Sequence, residues 1–299
     1  MWFKNLKVYR LAKQAPVDVA ALEGAFAKRA LDAAIGLEFQ SLGWVPPLEG
    51  GGLAYAVSGQ ILATLHARRK LLPAAVINQA ARARVAELGE RQSYRPGRKQ
   101  MKEIKERVID ELLPKAFSVH RDTRIWIDPK NRWLVVDAGA DARADEALGL
   151  LAKTLDPFPI ESLFVRQSPA AAMTVWLESD EPPANFSIDQ DTELRATGDS
   201  QAKIRYVKQS MDADDASKHI RAGKQCTRLA MTWADRVSFV LTDALDLKRI
   251  APLDVLKEPS DVAHNYAERF DSDFTLMTAE LAKLLGDLVE ALGGERRPD

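Results

Sequence analysis

The stretch FSVHRDTRIWIDPKNRWLVVDAG, residues 117–139, decides how the rest of the chain is read. Polar and apolar residues alternate up to Asp128 and again from Arg132 to Asp137, with Pro129, Lys130 and Asn131 between them. Two alternating runs about a short turn predict a β-hairpin, and hairpin strands pair antiparallel. On its N-terminal side, Lys99 to Leu113 has helical periodicity and stops before Pro114. On its C-terminal side, Asp141 to Leu155 reads as a helix with an acidic first turn. Hairpins mixed with helices, without a regular βαβ alternation, place the chain in the α+β class with antiparallel sheets.

Further out, KNLKVYRL and LAYAVSGQILATLHARR predict strands, the latter two of them around an SGQ turn. Asp18 to Ala34 and Leu72 to Leu88 predict helices. Residues 156–200 are proline-rich, with MTVWLE and NFSID as expected short strands. AKIRYVKQS predicts a strand, DADDASKHIRAG a helix with an Asp start and a Gly stop, and Gln225 to Leu253 a β-meander. The C-terminus predicts one long helix or two, ending at Gly293–Gly294.

Composition sets the class. The chain has 299 residues, 46% apolar and 28% charged, which suits a folded protein with a sizeable core. A lone cysteine, Cys226, forms no internal disulfide and suits a reducing compartment. MWFKNLKVYRL places lysines and an arginine where a signal peptide needs an apolar run, and no stretch approaches the ~20 apolar residues of a membrane span. The expectation is a soluble, cytosolic protein. Net charge is −1, from 42 Lys and Arg against 43 Asp and Glu, but its distribution is uneven. His66 to Arg132 holds 17 basic residues against 8 acidic, and Gln201 to Ile250 holds 10 against 6. A surface divided this way attracts a polyanion on one side and repels it on the other.

Local signatures of catalysis are missing. RAGKQCT ends like a phosphate-binding loop, but Lys218 stands where that motif needs a glycine and Gln225 where it needs Ser or Thr. His66, His120, His219 and His264 are far apart in sequence, which excludes a zinc site of sequence-local ligands but not one assembled in space. Asp212, Asp214 and Asp215 stand at a helix start, where carboxylates cap exposed N–H groups, and Asp271 and Asp273 lie inside a helical pattern. No catalytic residue, cofactor or metal is expected.

The basic blocks carry the binding expectation. Met101, Ile104, Val108, Ile109 and Leu112 form one helical face, with Glu103, Glu106 and Asp110 opposite. Arg95, Arg98 and Lys99 cluster at the helix start, where cations oppose the helix dipole, and Lys102 lies near the apolar arc. In IRYVKQS, Lys203, Arg205 and Gln209 share one strand parity and Lys208 the other, a row able to track phosphates. A solvated strand edge, protected from aggregation by charge, explains the same row.

MWFKNLKVYRL, GWVPP, LLPKAFS followed by WID, VKQ, HIRAGK, RLAMTW, FVL and RFDSDFTLMTAELAKLLGDLVEALGGE together resemble the recombination-associated RdgC family of bacteria from end to end. That resemblance implies a ring-shaped homodimer of multi-region subunits. It would encircle duplex DNA without sequence specificity, bind single strands more weakly, and restrain RecA-driven strand exchange, with direct RecA contact left open. It implies no enzymatic activity, no cofactor, no membrane association and a nucleoid-associated place in the cytoplasm. The implied regions are 1–71 with 118–165 as a central α+β part, 72–117 as a basic helical tip with a dimer contact, and 166–299 as a second α+β part with the long C-terminal helix. Phe117 matches the family's aromatic plug at the tip interface, and Lys208 with Gln209 the pair thought to grip DNA. Charge density adds Arg95, Arg98, Lys99, Lys102, Lys203 and Arg205 as expected backbone contacts. An RNA- or ribosome-associated factor and, further off, a metal-dependent nuclease using Asp212, Asp214 or Asp273 are the competing expectations.

Overall fold

The computed structural model describes residues 1–12, 15, 17–31, 38–92, 96–156, 160–198, 200–256 and 265–296. In chain order the elements are β1 (Leu6–Leu11), α1 (Val19–Ala27), β2 (Gln40–Val45), β3 (Tyr55–Val57), β4 (Gln60–Lys70), α2 (Ala74–Gln92) and α3 (Arg98–Leu112). Then come β5 (Ser118–Asp128), β6 (Trp133–Asp137), α4 (Asp141–Thr154), β7 (Ile160–Ser162), α5 (Pro169–Ser179), β8 (Phe186–Ala196) and β9 (Lys203–Tyr206). The chain ends with α6 (Ala213–Arg221), β10 (Lys224–Trp233), β11 (Val237–Thr242), β12 (Leu247–Pro252) and α7 (Tyr266–Ala291). The class is α+β, as read from sequence.

All twelve strands join one antiparallel sheet in the order β2-β4-β5-β6-β1-β12-β11-β10-β8-β9, with β3 on β4 and β7 on β1. The 117–139 hairpin forms as expected, pairing Ile125 with Val136 and Asp128 with Trp133. Two tight hairpins are set by positive-φ pairs. Ser58 and Gly59 (φ 51° and 76°) join β3 to β4, and Ala234 and Asp235 (φ 50° and 53°) join β10 to β11. Such pairs match the twist of the strands they connect.

The sheet's two halves meet where Leu6 pairs with Leu247. The junction is tied by Lys7, whose Nζ donates to Asp246 Oδ2 at 2.6 Å and to Asp141 at the start of α4. Burial works against the Lys7 charge, but the two carboxylates outweigh it and its pKa rises.

Successive strand residues enter opposite cores. Ile61, Ala63, Leu65, Ile125 and Ile127 pack with Leu22 and Phe26 of α1 and with Ala144, Ala147 and Leu151 of α4. Leu62, Trp126, Trp133 and Val135 turn the other way, into a larger core with α5 and α7. That core holds Leu229, Met231 and Phe239 from the C-terminal strands, whereas Ala230, Ser238 and Val240 on their other face join neither core.

Two expectations are corrected. MTVWLE lies within α5 and is not a strand. Ser168 caps it by accepting the Ala171 N–H, Pro169 opens it, and Ala172, Met173, Trp176 and Leu177 form one buried stripe. That helical stripe outweighs the strand preference of Thr174, Val175 and Trp176. The first helix stops at Ala27, short of Ala34. Beyond it the chain lies along β2, with Trp44 N–H donating to Arg29 O and Leu31 N–H to Trp44 O. Gly43 permits the approach, since a Cβ there would sit 2.3 Å from Leu31 Cα. The C-terminal segment is one helix over its described length, and Gly293 and Gly294 (φ 81° and 88°) end it.

Candidate nucleic-acid interface

Antiparallel register gathers cations at the β9 edge of the sheet. Glu193 of β8 faces Arg205 of β9 and Arg228 of β10, while Arg195 faces Lys203. Directly paired residues share a face, so these four cations surround one carboxylate. Arg195 Nη2 and Lys203 Nζ each lie 4.0 Å from Glu193 Oε1. Thr227 Oγ1 also donates to that oxygen, at 3.2 Å. One carboxylate leaves the group strongly positive. Lys203, Arg205 and Arg228 are exposed, and the buried Arg195 Nε has no partner among the described residues.

Lys208 and Gln209 follow on the same edge, just past β9. Lys208 (φ 53°) donates its backbone N–H to Asp191 Oδ1 at 2.8 Å, and Gln209 N–H donates to Gln190 O at 3.2 Å. Asp191 also pairs with Arg249 Nη2 at 2.8 Å. The Lys208 N–H and the Arg249 guanidinium hold the Asp191 carboxyl below the usual range. Asp189, Asp191, Lys208, Ser238, Val240 and Arg249 line an open hollow of about 270 Å³ on the face that no core covers.

The structure thus brings Lys203, Arg205, Lys208 and Gln209 together. Sequence reading missed Arg195, Arg228 and Arg249: Arg228 stands 35 positions from Glu193 and Arg249 58 from Asp191, and Arg195, only eight before Lys203, joins it through the β8–β9 register. A strand-parity count within β8 and β10 hints at them, but it cannot say which strands are neighbours.

The other basic residues lie apart, on the α2–α3 hairpin. Arg95 falls outside the described residues. Arg98 and Lys99 are exposed in the first turn of α3, which holds no acid, and Lys102 is exposed with Glu106 at 3.7 Å. Val108 is buried, and Met101, Ile104, Ile109 and Leu112 are half-buried, as their shared face predicts. At the hairpin's base Phe117 is 85% exposed. It is no core residue of this chain. Its carbonyl accepts the Leu71 N–H at 2.8 Å, and Leu71, Val76 and Val119 are exposed too. Beside them Leu71, Leu72, Pro73 and Val119, together with Arg69, Lys70, Arg121 and Glu146, line a cavity of about 420 Å³.

Three of the acidic candidates have structural partners. Asp212 caps α6 by accepting the Asp215 N–H, Asp271 accepts the Tyr55 hydroxyl proton at 2.6 Å, and Asp273 holds the Met1 amine. Burial and that carboxylate push the Tyr55 hydroxyl up to about 12. Among the described residues no three His, Cys, Asp or Glu side chains are grouped to hold a metal ion. No helix among them is long and apolar enough to cross a membrane.

Comparison with known proteins covers the whole chain. A family model described as "RdgC: Putative exonuclease, RdgC" matches residues 1–295. The chain is 65% identical over 298 residues to the recombination-associated protein RdgC of Bordetella parapertussis, covering 99% of this chain and 100% of that one. It is 55% identical over 298 residues to the protein of the same name from Cupriavidus necator, at 99% and 100% coverage. With that of Herminiimonas arsenicoxydans it shares 55% over 297 residues, at 99% of each chain.

Proposed function

The chain belongs to the RdgC family, and on that premise we propose that it is a DNA-binding protein that modulates recombination by occupying DNA. The observation that carries the reading is the cluster of Arg195, Lys203, Arg205 and Arg228 around one carboxylate, on a sheet face left open by both cores. Long, mobile cations on an extended strand surface suit a phosphate backbone, because they supply charge without reading base edges. Lys208, Gln209 and Arg249 extend the row toward the junction. Arg98, Lys99 and Lys102 supply a second contact on the hairpin.

A closed homodimeric ring around duplex DNA accords with Phe117. An aromatic ring 85% exposed, with Leu71 and Val119 also exposed beside it, is costly in an isolated subunit. A second copy offering the same surface would bury it, as a two-fold contact requires. Antagonism with RecA would then follow from occupancy of the shared DNA.

The test is a mobility-shift competition among duplex DNA, single strands and RNA across a salt series. Duplex should compete best, with a log–log salt slope of ~0.9 per phosphate contacted. Preference for structured RNA would favour an RNA-associated role instead. Joint replacement of Lys208 and Gln209 by Ala should weaken binding to all sequences alike and lower the slope by roughly one. Unchanged binding at low salt would remove those two residues from the interface.

The family model's description favours one second reading, a nuclease. It predicts Mg²⁺-dependent shortening of linear duplex that is lost on replacing Asp212, Asp214 or Asp273.

A further inference from the structure

A different face of the sheet carries a charge pattern that the interface above does not use. Lys70 pairs with Ser118, Arg68 with His120, His66 with Asp122 and Thr64 with Arg124 along β4 and β5. These pairs continue the side of the strands on which Leu62 meets Trp126. Near β3 and the β5–β6 turn that side lies in the α7 core, with Leu62 and Trp126 fully buried. Toward the α2–α3 hairpin the same rows emerge from it as His66, Arg68, Lys70, His120 and Arg124, with Asp122 the acid among them.

Three of these side chains form a proton chain. His66 Nδ1 lies 2.6 Å from Asp122 Oδ1, and His66 Nε2 lies 2.9 Å from His120 Nδ1. His120 is exposed, and the hydrogen bond its ring makes here is through Nδ1. Count the protons. With the pair neutral, His66 donates to Asp122 and accepts from His120 Nδ1, so His120 Nε2 is left as a bare acceptor. One added proton changes that atom into a donor while both inner hydrogen bonds persist. The positive charge and the outward N–H therefore arrive together. A neutral pair turns a lone pair toward an anion; a charged pair turns a hydrogen-bond donor toward it.

We infer that His66 and His120 form a proton-linked contact for the phosphate backbone of DNA, on a face shared with Arg68, Lys70 and Arg124. The inference rests on the DNA-binding reading above. The ligand follows from charge complementarity, since among the described residues five basic or titratable side chains on these rows face one carboxylate. The surroundings add little that titrates: β2 offers Ser41 and Gly43 opposite Arg68 and His66. From α4 on the other side, Arg143 donates to Thr123 Oγ1 and to the Asp122 carbonyl. An added proton brings the charge and the outward N–H together, so the contact should strengthen as pH falls. Protonated in the complex more than in the free protein, the pair contributes affinity at the acidic end and loses it as pH rises.

The experiment is a fluorescence-anisotropy titration of a rhodamine-labelled duplex at constant ionic strength, from about pH 8 to about pH 6. Wild type, His120→Gln and Lys203→Ala/Arg205→Ala are compared. One linked proton allows at most about tenfold in affinity per pH unit. Wild type should gain at least about threefold more than His120→Gln across the range, while the double variant weakens but keeps the wild-type pH response. His66→Gln, at a less exposed site, should match His120→Gln if it folds, and the exposed His120 makes the test independent of that. Equal pH responses in wild type and His120→Gln would overturn this contact alone. No binding by wild type at any pH would overturn the DNA-binding reading itself.

Discussion

α7 and the α2–α3 hairpin are the two longest helical segments, both rich in charge, and they are built oppositely. Ten of the 26 residues of α7 are buried, and its Glu280 is held by both Nε and Nη2 of Arg236 at 2.7 and 2.9 Å. The hairpin has 19 residues in α2 and 15 in α3, yet only Ala81 and Val108 are buried among those described. α7 is the lid of the larger core; the hairpin packs mainly on itself. Charge density does not separate the two cases. What separates them is whether a second apolar surface waits opposite the stripe, which the sheet supplies to α7 and nothing among the described residues supplies to the hairpin. A helical pair with so little to hold it down is placed for contact with something else.

Substitutions can break or sharpen that contrast. Phe274→Ala removes a fully buried ring from α7 and should cost about 3–5 kcal/mol in denaturant unfolding. A loss below about 1 kcal/mol would mean that α7 is not central to the core. Val108→Ala, in the hairpin, removes two buried carbons and should cost about 1–2 kcal/mol. A loss as large as that for Phe274 would make the hairpin a full part of the core. Phe117→Ala should change unfolding by no more than about 0.5 kcal/mol, because the ring packs on little within its own chain. Its effect should appear in sedimentation as a shift toward monomer. An unchanged dimer would remove Phe117 from the proposed contact.

Much of the fold was legible because the local signals agreed. The 117–139 hairpin, the Ser58–Gly59 and Ala234–Asp235 turns, the Asp212 cap and the Gly293–Gly294 stop each state one conformation within a few residues. MTVWLE failed for the same reason in reverse. Its β-branched and aromatic content spoke for a strand, while the signals for a helix, Ser168 and Pro169, lay just upstream in a proline-rich stretch. The candidate site was half legible. Lys203, Arg205, Lys208 and Gln209 lie within one short segment, but Arg195, Arg228 and Arg249 reach them across three other strands. His66 and His120 read as unrelated histidines, 54 positions apart, until β4 and β5 are paired.

From its sequence alone, then, this chain declares its class, most of its helices and strands, its uneven charge and a resemblance running from end to end. Those properties are local or additive, and each residue contributes without regard to distant partners. Strand order, the face each side chain takes and the meeting of His66 with His120 belong to the tertiary structure alone. Pairing depends on which strands lie side by side, and a shift of one residue would turn every side chain to the opposite face.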